Sequence, residues 1–189
     1  LLVGHLDERA VRYRAAEASS LGEYRDRTNH LEEPRLLLLL DGFTAFRTEY
    51  EGSIAAGSAY MLFQRRLAEG RGVGIHVAMT VERPAALPSA ISSAFSRKVV
   101  LRQADEDSYA FYGLDRDVLT PSSPAGRAMQ VDRPLELQLA IIGTSGNMAE
   151  QVRLMRELAP AVARFHAQRP EPIRSLPSRS PSEQFPTRP

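Results

Sequence analysis

The sequence predicts an α/β fold with a mostly parallel sheet and an antiparallel hairpin near its C-terminal end. Three observations carry this. Leu36–Leu40 is a run of five leucines, which needs burial on both faces, as the central strand of a covered parallel sheet provides. Strand-like apolar runs then alternate with helical patterns through Tyr112, the order that builds parallel sheets. Finally, Leu135, Leu137, Leu139 and Ile141 alternate with Glu136 and Gln138, the period of two of a strand with one wet face.

The elements follow in order. Leu6 to Ala18 and Leu21 to Arg27 have helical composition, and Asn29 to Pro34 is a polar break. Pro34 holds the preceding residue extended as the chain enters the leucine strand. Phe43 to Glu51 reads as a short helix over the sheet edge, and Gly52 and Gly57 bracket a turn. Ser58 to Glu69 reads as a helix with Met61 and Leu62 on one side and Arg65 and Arg66 on the other. Gly70-Arg71-Gly72-Val73-Gly74 follows a helix and opens a strand. A dinucleotide loop does the reverse, so this is a close-packed turn and not a cofactor fingerprint.

Ile75 to Thr80 is the second buried strand, and Arg97 to Arg102 the third. Between them Pro84 and Pro88 frame a loop, and Ser89 to Phe95 has the makings of a short helix. Asp105 is placed to cap a helix from Glu106 to Tyr112, which Gly113 stops. Gly126 to Val131 and Pro134 to Ile142 pair around Asp132-Arg133. Asn147, with Glu150 three residues on, opens a helix whose stripe is Val152, Met155, Leu158, Val162 and Phe165. One domain is expected over 1–167. Residues 168–189 are rich in Pro, Arg and Ser and bury too little to fold alone, so they are expected to be a linker or tail.

Composition excludes several functions. With 189 residues and a net charge of +1, the chain carries no bulk charge for a nucleic-acid arm or a polybasic membrane tether. There is no cysteine, so disulfides, thiolate metal sites and cysteine nucleophiles are out. The only lysine is Lys98, in Ser96-Arg97-Lys98-Val99, which is nothing like a phosphate-binding loop. No apolar run approaches the roughly 20 residues of a membrane span. The chain begins Leu1-Leu2-Val3 without an initiator methionine, so a piece of something longer is expected.

Asp41 is the leading candidate for chemistry. A carboxylate at the end of a buried strand lands at the sheet's carboxyl edge, where open α/β folds bind ligands. It could hold magnesium on a nucleotide, or Asp41-Gly42 could be ordinary turn chemistry. Thr80 ends its strand in the same way, as a polar sensor or a plain strand-end threonine. His76 reads as a core histidine in an apolar strand. His5, His30 and His166 lack metal-ligand spacing. Gly143-Thr144-Ser145-Gly146-Asn147 lacks the spacing of a nucleophile elbow. Arg65, Arg66 and Arg71 read as a solvated helix face, with a polynucleotide or partner track as the alternative.

Taken together, three stretches resemble the FtsK/SpoIIIE family of P-loop motor ATPases, in the RecA-like group. They are Pro34-Arg35 with the leucine strand and Asp41; Arg66 to Val77 with Thr80 and Arg83-Pro84; and Arg97 to Arg102 with Asp105-Glu106-Asp107-Ser108-Tyr109 and Gly126-Arg127-Ala128. The second resembles the family's G-R-x-x-G-I-H strand. Asp41-Gly42-Phe43 is most similar to the EccC-type ATPases of type VII secretion.

The resemblance implies a partial RecA-like P-loop domain, the second half of one, with the phosphate loop expected upstream of Leu1. It implies ATP and Mg²⁺ as cofactors, with Asp41 orienting the metal and its waters. Thr80 would be the sensor on the γ-phosphate side. Arg97 would be the arginine finger reaching a neighbouring subunit, with Arg102 second. Such a finger is worth about 10³ to 10⁵ in rate. The implied partners are neighbouring subunits or tandem ATPase domains in a hexameric ring, and secreted helical WXG-type proteins. The implied setting is the cytoplasmic face of the membrane, with the anchor in the parent protein. Gly42 stands where the family usually has a catalytic glutamate, so slow or absent hydrolysis is expected. The competing readings are a DNA translocase of the FtsK kind and a degenerate module that binds peptides or subunits without hydrolysis.

Overall fold

The computed structural model describes residues 2–52, 58–133 and 135–165. Backbone packing divides the chain into two units, Leu1–Leu139 and Ala140–Pro189, and each is described by itself.

The first unit opens with helices α1 (Leu2–Ala15) and α2 (Leu21–Thr28). The first ends short of Ala18 because Glu17 adopts a left-handed conformation (φ 53°) and the Ala18 N–H turns back to the Tyr13 carbonyl at 2.8 Å, a common helix-closing motif. Ser20 caps the second by accepting from the Glu23 N–H, while the Glu23 carboxylate takes the Ser19 N–H at 2.7 Å. Tyr13 and Tyr24 stack at 4.3 Å between the helices. Around them, buried Arg9 and half-exposed Arg12 converge on Glu33, and Arg9 also donates to the Val73 carbonyl. The polar break before the leucine strand is thus held by charge-assisted bonds to α1.

Strands β1 (Leu36–Leu40) and β2 (Ile75–Met79) pair in parallel, Leu36 opposite Ile75 and Leu40 opposite Met79. Helices α3 (Phe43–Tyr50) and α4 (Ala59–Glu69) connect them. One face of the pair, with Leu38, Leu40, Val77 and Met79, packs on a core of Phe43, Tyr60, Phe63 and Ile91. The other face does not match the expectation of two-sided burial. Leu37 and Leu39 are 61% and 71% exposed, because among the described residues nothing covers that side. His76 shares this face, opposite Leu37, and is exposed, not a core histidine.

In α4, Ser58 caps the first turn by accepting from the Met61 N–H. The face assignment expected from the sequence is corrected here: Met61 is 57% exposed, whereas Arg66 is 4% exposed. The buried positions Tyr60, Phe63 and Arg66 recur every three residues, so the helical stripe runs through the arginine. The turn after α4 leaves no room for side chains. A Cβ on Gly70 would meet the Arg66 carbonyl oxygen at 2.6 Å, and one on Gly74 (φ +75°) would meet Leu21 Cδ2 at 2.7 Å.

After a 3-10 turn at Pro84–Ala86 and helix α5 (Ser89–Ala94), strands β3 (Val99–Leu101), β4 (Arg127–Gln130) and β5 (Leu135–Gln138) form an antiparallel sheet in that order. The expected hairpin is present, joined by an ion pair of Arg127 with Glu136, but its second arm stops at Gln138 instead of reaching Ile142, and Leu135 is exposed. The third strand joins this hairpin rather than the parallel pair. Val100, Tyr109, Leu119 and Met129 form its core. Asp105 caps the segment Glu106–Tyr112 and Gly113 (φ +68°) closes it, but the turn is 3-10 throughout.

The second unit is described over residues 140–165. Helix α6 (Met148–Phe165) is capped by Asn147, whose side chain accepts from the N–H groups of Ala149 and Glu150. Gln151 ties the helix to the carbonyls of Ile142 and Ser145. The stripe Val152, Met155, Leu158, Val162 and Phe165 is exposed along its length. The expected linker at 168–189 and His166 lie outside the described residues.

Candidate functional site

Parallel pairing with matched register brings the carboxyl ends of β1 and β2 side by side, and each strand is followed at once by a polar residue. The Thr80 hydroxyl donates to Asp41 Oδ1 at 2.6 Å and accepts the Gly42 N–H at 2.8 Å. Backbone bonds from Thr80 N–H to the Leu40 carbonyl and from Phe43 N–H to the Thr80 carbonyl complete the lock. Asp41 and Thr80 are both exposed, so the pair faces solvent at the edge where α/β sheets place ligands.

A third group, which the sequence did not single out, joins them. Glu82 leaves β2 two residues after Thr80 and accepts the Thr44 hydroxyl at 2.7 Å. That bond, with the backbone N–H groups of Glu82 itself and of Thr44, holds its carboxyl below the ordinary glutamate range, while desolvation and the charge on Asp41 oppose the shift. A Cβ on Gly42 would stand 3.2 Å from Glu82 Oε1, and Gly42 has φ +79°. Position 42 therefore has a conformation that disfavours a side chain, and Glu82, from the segment after β2, brings its carboxylate close to it. Only the pairing of β1 with β2 reveals this; nothing in the spacing of Thr44 and Glu82 announces it.

Neither Arg97 nor Arg102 takes part in the hydrogen bonds of Asp41 and Thr80. Arg97 is exposed and precedes β3 instead of belonging to it, so the expected rigid strand presentation is corrected. It lines the same cleft as Thr80 and Glu82. Arg102 is tied down, donating to the Pro121 carbonyl at 2.7 Å. Among the described residues no group of three His, Cys, Asp or Glu could hold a metal ion. A magnesium ion carried on phosphates needs only one or two protein carboxylates, and Asp41 fits that donor set.

A small parallel sheet followed by an antiparallel three-stranded sheet matches, as a fold, part of a P-loop ATPase domain. The solved structures it resembles are type VII secretion ATPases. Thermomonospora curvata EccC, ATPases 2 and 3 in complex with a signal sequence peptide, has a TM-score of 0.71 at 21% identity over 96% of this chain. The cytoplasmic domain of the same species' EccC gives 0.71 at 20% identity over 96% of this chain. EssC (ATPases 2 and 3) from Geobacillus thermodenitrificans gives 0.66, again at 20% over 96%. This chain spans 33%, 21% and 34% of those three chains. No family model matches the sequence, and no curated protein matches it. Among the described residues no helix is long and apolar enough to cross a membrane.

Proposed function

We propose that this chain is part of the nucleotide-binding motor domain of a type VII secretion ATPase, working in a ring of subunits or tandem domains on helical WXG-type export substrates. The observation that carries the proposal is the Thr80–Asp41 hydrogen bond at the carboxyl edge of the parallel pair. In this reading Asp41 orients the waters of a magnesium ion borne by ATP, and Thr80 fixes the carboxylate's rotamer. The metal, when bound, neutralises charge on the transferred phosphoryl group. Arg97 serves a neighbouring subunit's nucleotide from an exposed loop.

A second reading, a module that engages peptides or neighbouring subunits without hydrolysis, is supported by Gly42, a left-handed glycine (φ +79°) at the position where the family usually has a catalytic glutamate. The complex of T. curvata EccC with a signal sequence peptide is consistent with either reading. Calorimetry with Mg-ATP and a phosphate-release assay, on this chain and on any longer protein that carries it, separate the possibilities. Under the motor reading Asp41→Asn lowers affinity about tenfold or more and abolishes turnover. Binding of a signal-sequence peptide without ATP supports the second reading. Binding of neither removes the motor reading and the peptide-binding form of the second.

A further inference from the structure

Phosphoryl transfer to water needs, besides a metal ion, a side chain that orients the attacking water and takes up its proton. The groups already placed at the strand ends do not supply one. In the motor reading Asp41 serves the metal, and the Thr80 hydroxyl gives its only proton to Asp41 while accepting the Gly42 N–H. Residue 42 itself is a glycine with φ +79°. Glu51 lies about two helical turns beyond Phe43 and pairs with Arg47 at 2.6 Å. Glu82 is placed differently. Its Oε2 accepts the Thr44 hydroxyl at 2.7 Å, which fixes the carboxylate on the first turn of α3. Its Oε1 stands 3.2 Å from the point that a Cβ on Gly42 would occupy. The residue also lines the cleft that Thr80 and Arg97 line. One oxygen anchors the group and the other is presented beside the strand ends, which is what positioning a reactant requires.

We infer that Glu82 is a catalytic residue for the hydrolysis of ATP at this site, its Oε1 orienting the attacking water where residue 42 has no side chain. The inference rests on the motor reading. Glu82 accepts one proton of the water as the water oxygen bonds to the γ-phosphorus. The bond from that phosphorus to the bridging oxygen breaks, its electron pair leaves with ADP, and the proton passes from Glu82 to the released phosphate. Thr44 is a positioning residue, since it acts only by holding Oε2. The carboxylate that Gly42 cannot provide thus reaches the site from the segment after β2.

The test measures Mg-ADP binding by calorimetry, alone, with beryllium fluoride and with aluminium fluoride, on this chain and on any longer protein that carries it. Beryllium fluoride mimics the phosphoryl group before attack, and aluminium fluoride mimics it with the attacking water in place. Glu82→Gln still accepts the Thr44 hydroxyl, so the local fold is kept, but it does not take up a proton. It is expected to bind Mg-ADP, alone or with beryllium fluoride, within about twofold of the parent, and to lose about tenfold or more of the tightening by aluminium fluoride. Phosphate release in a single turnover falls about a hundredfold or more. Thr44→Val weakens the same tightening by a smaller factor, and Thr44→Ser restores it. Full tightening in Glu82→Gln overturns the inference. So does an equal loss of affinity for all three ligands, which would make Glu82 a metal ligand or a structural residue. A parent that binds Mg-ADP but shows no tightening overturns it too, and leaves nucleotide binding standing. Absence of Mg-ADP binding from every one of these proteins removes the motor reading, and this inference with it.

Discussion

Thr80 holds Asp41 by a 2.6 Å hydrogen bond that joins two strand ends 39 residues apart in sequence. The same oxygen accepts the Gly42 N–H, so one hydroxyl fixes both the carboxylate and the first turn after β1. Replacing it tests whether this lock has structural weight. Thr80→Val keeps the shape and removes both bonds, and since the site is exposed the expected loss is about 1 kcal/mol. Thr80→Ser is expected within about 0.5 kcal/mol of the parent, because it restores the acceptor and donor. Urea unfolding midpoints measure both.

Gly74 and Gly113 both adopt positive φ, but only Gly74 is also crowded. Gly113→Ala is therefore expected to cost about 1 kcal/mol, the strain of a left-handed alanine. Gly74→Ala adds a clash with Leu21 and is expected to cost about 3 kcal/mol or more. Equal losses in thermal or urea unfolding would show that Leu21 yields freely.

Arg66 is buried, and among the described residues its Nη1 has no hydrogen-bond partner. Burial lowers the pKa of its guanidinium below the usual arginine value. Arg66→Met supplies similar volume without the desolvated charge, so stability is expected to stay within about 1 kcal/mol or rise. Arg66→Ala leaves a cavity and is expected to cost about 2 to 3 kcal/mol. Matching losses in the two variants would mean that the charge itself is stabilising.

Glu82 binds the Thr44 hydroxyl as a carboxylate, so its folded pKa lies below its unfolded one. Its contribution is complete above the ordinary glutamate range and fades as pH falls through the depressed folded value. Glu82→Gln is expected to flatten the acid limb of the stability–pH curve, and Thr44→Ala to move the carboxyl's NMR titration upward. An unchanged titration in Thr44→Ala would assign the shift to the backbone N–H groups of Glu82 and position 44.

Much of the local structure was legible in the sequence, because caps, breakers and periodicity act over a few residues. Ser58, Asp105, Gly113 and Asn147 mark element ends where the structure has them, and Asp132-Arg133 marks the hairpin. The faces of those elements were less legible. The leucine run looks buried on both sides by composition, yet Leu37 and Leu39 are exposed. Covering a face requires another layer, and a strand's own residues do not specify one. His76 and Arg66 changed places for the same reason, the apolar strand leaving its histidine in solvent and the charged helix burying its arginine.

The sequence by itself determined the order of elements, the polar residues that end β1 and β2, and the glycine at position 42. Only the tertiary structure decided that β3 joins the hairpin and that Glu82 comes up beside Gly42. The division has a physical cause. Hydrogen bonds within a helix or turn are local and leave a pattern in adjacent residues, whereas strand pairing joins distant segments through backbone groups that every residue shares.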